Sequence, residues 1–119
     1  MITIYHNTRC SKSHSTCELI DSTLNTSGEP VRIVEYLKEP LGVDELKALH
    51  RMLGGRVRDM IRDTEPVYDE LGLADVSLAD DALFAALADH PILLQRPIVT
   101  RNGKAVIGRP PEAVRALFG

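Results

Sequence analysis

Residues Ile2 to His6 alternate in part between apolar and polar and are rich in β-branched and aromatic types, which predicts a short strand. Beyond Cys10 a Ser-rich stretch carries Cys17, Ile20 and Leu24 at helical spacing and closes at Gly28, so it predicts a helix. Val31 to Tyr36 returns to a strand pattern, ended by the Glu39-Pro40 step. Val43 to Leu53 places Leu46, Leu49, Met52 and Leu53 on one side, with Asp44 and Glu45 in the first turn and Gly54-Gly55 as the stop. Two shorter helices are expected over Arg56–Asp63 and Pro66–Leu71. The run Ser77-Leu78-Ala79-Asp80 reads as a capping box opening a helix over Ala82–Ala88. Pro97–Thr100 and Ala105–Ile107 flank Arg101-Asn102-Gly103-Lys104, and Asn-Gly between apolar runs is the strongest short hairpin signal. Pro110-Pro111-Glu112 opens a last helix through Phe118.

The order is βαβ, a helical block, a hairpin and a helix. A β-α-β unit normally makes a right-handed crossover between parallel strands. The fold class is therefore α/β, on a thioredoxin-like plan with a helical insertion between the βαβ unit and the C-terminal hairpin plus helix. With 119 residues the chain reads as one domain, residues 1–119, with the insertion at about 43–92.

Composition narrows the partners. Fourteen basic against 17 acidic residues leave a net charge of -3, which argues against a general nucleic-acid binder. No basic, apolar leader of the signal-peptide kind opens the sequence. The longest apolar run, Ala82 to Ala88, falls far short of the roughly 20 residues that span a bilayer. A cytoplasmic monomer without nucleic-acid or membrane partners is expected. Ten of the 14 basic residues are Arg, the side chain suited to gripping planar carboxylates and oxyanions.

The two cysteines supply neither a disulfide framework nor a four-ligand zinc set, so each is judged as a thiol and no metal is expected. Cys10 falls at the start of the first predicted helix, where the dipole and free amides stabilise a thiolate, and Arg9 and Lys12 add positive charge. Its polar neighbours disfavour the alternative of a buried small hydrophobe. A dithiol oxidoreductase would read C-x-x-C here, whereas this chain reads Cys10-Ser11-Lys12-Ser13. Ser13 either donates to the thiolate or is a first-turn serine. Cys17 lies about two helical turns away, roughly 10 Å of rise, beyond the about 7 Å a disulfide tolerates, and its stripe marks it as a core residue. A one-thiol enzyme must then borrow external thiols.

His6 either hydrogen-bonds near the thiol or stiffens the thiol's loop, while His14 reads as a solvated helix residue, and His50 and His90 lack ligand partners. Arg62 is expected on a short helix with Asp59 and Asp63 as salt-bridge partners. Arg96 and Arg109 each precede a proline, which restricts the backbone that aims them. On a thioredoxin-like plan the proline before the third strand faces the active thiol and is often cis, which would set Arg96-Pro97 beside Cys10. An Arg cluster there would depress the thiol pKa and bind a tetrahedral oxyanion.

His6-Asn7-Thr8-Arg9-Cys10-Ser11-Lys12-Ser13, Tyr36-Leu37-Lys38-Glu39-Pro40, His90-Pro91, Arg96-Pro97-Ile98-Val99 and Gly108-Arg109-Pro110-Pro111 together resemble the glutaredoxin-coupled arsenate reductase family over essentially the whole chain. The resemblance implies Cys10 as the catalytic nucleophile. It further implies Arg62, Arg96 and Arg109 as the oxyanion-binding, thiolate-stabilising triad, and His6 and Ser13 as supporting residues. It implies arsenate as substrate, glutathione as co-substrate, glutaredoxin as protein partner and no bound cofactor. The C-S-K-S loop and G-R-P-P end set the chain apart from the resistance-operon branch, whose loop has Gly-Thr after the cysteine. Two other readings stand beside it: a glutathione-dependent thiol reductase without arsenate activity, and an Spx-type redox regulator that binds RNA polymerase. The missing second cysteine counts against the latter.

Overall fold

The computed structural model describes residues 1–118. They fall into two compact units, Met1–Glu39 with Arg96–Gly119, and Pro40–Gln95.

The first unit holds the sheet. Strand β1 (Ile2–His6) pairs in parallel with β2 (Val31–Glu35) and antiparallel with β3 (Ile98–Arg101), which pairs with β4 (Lys104–Ile107), giving the order β2-β1-β3-β4. Helix α1 (Ser11–Leu19) runs on into a single π turn, Ile20–Leu24, and forms the crossover from β1 to β2. Ile2, Ile4, Ile20, Val99, Val114 and Leu117 form one buried cluster, with Cys17, Leu19, Leu24, Val106 and Phe118 packed against it. Alternation thus turns one face of β1 into the core. The β3–β4 turn has Asn102 at φ 53° and Gly103 at φ 77°, the pair of left-handed residues that a two-residue type I′ hairpin needs.

The expected stripe of Cys17, Ile20 and Leu24 does face the core, but helix α1 also buries residues outside it. Its buried residues are Ser13 and Thr16, while Cys17 is only half-buried. The reason is close backbone approach. A Cβ on Gly108, just after β4, would lie 2.8 Å from Thr16 Oγ1 and 2.9 Å from Pro97 Cγ. Only small side chains fit where the helix meets this junction.

The second unit is helical. In it α2 (Val43–Leu53) buries Leu46 and Leu49 and packs on α4 (Asp80–Asp89), which buries Leu83, Phe84, Ala86 and Leu87. Between them lies the short α3 (Pro66–Glu70). Arg58 Nη1 donates to the Leu73 carbonyl at 2.7 Å and its Nη2 to that of Asp75 at 2.6 Å, closing the segment between α3 and α4. No described helix is long and apolar enough to cross a membrane.

Three local expectations are corrected. Arg56–Asp63 is no helix beyond one 3₁₀ turn, Val57–Met60, because Ile61 bridges to Leu94 and the Arg62 amide donates to the Leu93 carbonyl at 2.7 Å. Ser77 caps nothing: its amide and hydroxyl both donate to Asp75 Oδ1, and Ala79 stands at the N-cap of α4. The last helix is a 3₁₀ segment, Pro111–Leu117.

Candidate active site

Cys10 is the N-cap residue of α1, with extended backbone (φ -104°, ψ 119°). The preceding loop is tied from within. The Cys10 amide donates to the Asn7 carbonyl at 3.1 Å, and the Arg9 amide donates to Asn7 Oδ1 at 2.9 Å. The Asn7 amide donates to Ser13 Oγ at 3.0 Å, and that oxygen lies 2.8 Å from His6 Nδ1. Loop and first helical turn are thus laced through one buried hydroxyl.

At an N-cap the side chain faces amides that have no partner within the helix. The Cys10 side chain closes no cap hydrogen bond. Partial burial works against its ionisation, but the Ser13 amide, the Arg96 guanidinium and the Lys12 amide favour the thiolate, in that order. Together with the Arg96 charge they outweigh burial and hold the Cys10 thiol below its ordinary value. The site therefore presents a partly exposed nucleophile beside a fixed cation.

Arg96 and Arg109 reach Cys10 from two turns. The Arg96-Pro97 peptide before β3 is cis, as expected of this proline, and so is Arg109-Pro110 after β4. Arg109 Nη1 lies 3.9 Å from Cys10 Sγ and donates to the Arg96 carbonyl at 3.2 Å. Arg109 is exposed, so its remaining donors face outward beside the thiol. Two guanidinium groups and the amides opening a helix are what a small oxyanion needs for charge-assisted binding. Arg62 belongs to the second unit, where its Nε pairs with Glu65 at 3.3 Å. The expected partner Asp59 instead pairs with Arg56.

The histidines divide. His6 is buried, and burial first, then the charge of His14, lowers its pKa against the opposing pull of Glu35. His14 is exposed as expected, yet its Nε2 lies 2.6 Å from the Thr8 carbonyl, and its ring meets that of His6 edge-on at 4.9 Å. His50 Nε2 contacts the Gly55 carbonyl at 3.0 Å. Cys17 Sγ lies 3.8 Å from His6 Nδ1, and burial pushes its thiol up, the opposite of Cys10.

Two residues of this neighbourhood carry no role in the sequence reading. Asn7 shapes the loop through both its main chain and its side chain, and its place just past a strand and three residues before the cysteine was the available signal. Tyr36 is 1% exposed at the end of β2. Nothing in its strand pattern separates it from an ordinary core aromatic.

Residues 5–117 match the model of the ArsC family. The chain belongs to the ArsC family. Its fold is accordingly thioredoxin-like, in keeping with the sheet order β2-β1-β3-β4. It is 45% identical over 119 residues to the Escherichia coli protein YfgD, covering 99% of this chain and 97% of that one. It is 44% identical over 118 residues to an arsenate reductase of Neisseria meningitidis, covering 98% and 97% respectively. A solved arsenate reductase from Vibrio cholerae matches with a TM-score of 0.90 at 46% identity, covering 98% of this chain and 96% of that one.

Proposed function

We propose that this ArsC-family chain is an oxidoreductase that reduces arsenate to arsenite through Cys10, with glutathione and glutaredoxin as reductants. The observation that carries the reading is the thiol held below its ordinary pKa by a helix start and Arg96, with Arg109 3.9 Å from the same sulfur. Arsenate is a tetrahedral oxyanion, and Arg96 and Arg109 supply the donors to hold it, with Arg62 as the third member of the triad. His6 and Ser13 support the thiol loop. No bound cofactor and no metal enter this mechanism.

Two thiols supply the two electrons. The Cys10 thiolate attacks arsenic and displaces hydroxide, which leaves as water after protonation. The glutathione thiolate then attacks the Cys10 sulfur; the S–As bond breaks, its electron pair stays on arsenic, and arsenite departs. Glutaredoxin reduces the mixed disulfide and returns Cys10 to the thiolate. The absence of a second cysteine in Cys10-Ser11-Lys12-Ser13 supports this use of external thiols. A monomer in the cytoplasm suits such a cycle, which depends on a reducing thiol pool.

A coupled assay with arsenate, glutathione and glutaredoxin tests the reading. Glutathione-dependent arsenite formation that vanishes in Cys10→Ser supports it, and full activity in Cys10→Ser overturns it. Absence of arsenate turnover beside reduction of glutathionylated substrates would replace it with the thiol-reductase reading. Recovery of RNA polymerase subunits on this chain would favour the regulator instead.

A further inference from the structure

One peptide group beside the thiol is gripped at both ends. Asn7-Thr8-Arg9-Cys10 is a tight turn, closed by the Cys10 amide on the Asn7 carbonyl at 3.1 Å. The orientation of the central peptide of such a turn, here the one joining Thr8 to Arg9, is what separates the common turn types. Its amide, on Arg9, donates to Asn7 Oδ1 at 2.9 Å. Its carbonyl, on Thr8, meets the His14 imidazole, with Nε2 at 2.6 Å. A carbonyl only accepts, so Nε2 carries the proton and donates. His14 also holds the far side of the thiol residue, since its own amide donates to the Cys10 carbonyl at 3.1 Å. One residue of α1 thus brackets the segment from Thr8 to Cys10 with a side-chain bond and a main-chain bond. The ring of buried His6 stands edge-on to that of His14, 4.9 Å between centroids. His14 itself is exposed, so the bracket adds little to the buried core.

Resting on the reading of Cys10 as the nucleophile, we propose that His14 is a positioning residue for it. The Nε2 donor fixes the peptide between Thr8 and Arg9, and so sets the Cys10 main chain at the N-cap of α1. The sulfur is thereby kept beside the first amides of the helix and 3.9 Å from Arg109 Nη1. His14 acts through the loop main chain and takes no part in bond making. The consequence is a thiolate held in place by a loop that cannot turn its central peptide.

Two variants separate the donor from the ring. His14→Leu removes the donor at an exposed position and keeps a good helix former, so α1 persists. His14→Gln returns an uncharged N–H donor at about the reach of Nε2. The readouts are amide exchange of Arg9 by NMR and iodoacetamide labelling of Cys10 at pH 7 by peptide mass mapping. In His14→Leu the Arg9 amide should exchange about fivefold faster, the size of effect one net hydrogen bond supplies. Labelling of Cys10 should slow about threefold, because the thiolate loses alignment with the groups that stabilise it. His14→Gln should recover most of both. Labelling unchanged or faster in His14→Leu overturns the proposal, as does slower labelling with Arg9 exchange unaltered. A His14→Gln protein as slow as His14→Leu also overturns it, since the ring or its charge would then be responsible. Alkylation needs no arsenate, so loss of the arsenate reading would appear separately, as wild-type protein with a reactive Cys10 but no arsenate turnover.

Discussion

Ser13 Oγ and His6 Nδ1 lie 2.8 Å apart and buried, and the same hydroxyl accepts the Asn7 amide at 3.0 Å. One small side chain thereby joins the end of β1, the thiol loop and the first turn of α1. Ser13→Ala would strand the Asn7 amide and the imidazole nitrogen. It is expected to destabilise the chain by about 1–3 kcal/mol, read from urea denaturation. The Ser13 main-chain amide that favours the thiolate survives the change, so the alkylation profile of Cys10 should move far less than stability does.

Burial first and then the charge of His14 lower the pKa of the His6 imidazole below the ordinary 6.5, against the pull of Glu35. Between those two values the unfolded chain binds the extra proton, and stability rises with pH. This contribution is complete above about pH 6.5 and declines as the pH falls through that window. Denaturation at steps from pH 7.5 to 5 should show the decline, and His6→Gln should flatten it. A slope unchanged in that variant would assign the titration elsewhere.

The two cysteines separate by reactivity. Cys10 is lowered by its amides and Arg96 against the cost of burial, whereas burial raises Cys17. Limited iodoacetamide treatment at pH 7 should label Cys10 about tenfold or more faster, since the thiolate is the nucleophile. Peptide mass mapping reads the ratio directly. Arg96→Gln should narrow it, by slowing Cys10 and leaving Cys17 unchanged.

Gly108 is required for space rather than for backbone freedom. The Cβ of Gly108→Ala would meet the side-chain atoms Thr16 Oγ1 at 2.8 Å and Pro97 Cγ at 2.9 Å. Such overpacking typically costs about 1–3 kcal/mol. Thr16 Oγ1 has no hydrogen-bond partner among the described residues, so trimming it forfeits little and opens room. Thr16→Ala should therefore recover part of the loss, which a double-mutant cycle measured by thermal unfolding would show as clear non-additivity.

Local chemistry determined much of this protein. Alternation marked β1, helical spacing with a Gly-Gly stop bounded α2 at Val43–Leu53, and Asn102-Gly103 specified the hairpin because few other pairs accept two left-handed residues. Cys10 was legible as a reactive thiol because its polar neighbours and its place before a helix are properties of the chain alone. The rest depended on partners distant in sequence. Arg109 gained its meaning from a sulfur 99 residues away, and Thr16 was buried because Gly108 approaches it. Ser77 lost its expected cap to Asp75, and the Arg56–Asp63 helix yielded to the bridge between Ile61 and Leu94, since a buried strand contact outweighs the weak propensity of a short segment. Tyr36 shows the limit most plainly. Its sequence neighbours mark only the end of a strand, and only the tertiary structure encloses its hydroxyl without a hydrogen-bond partner among the described residues.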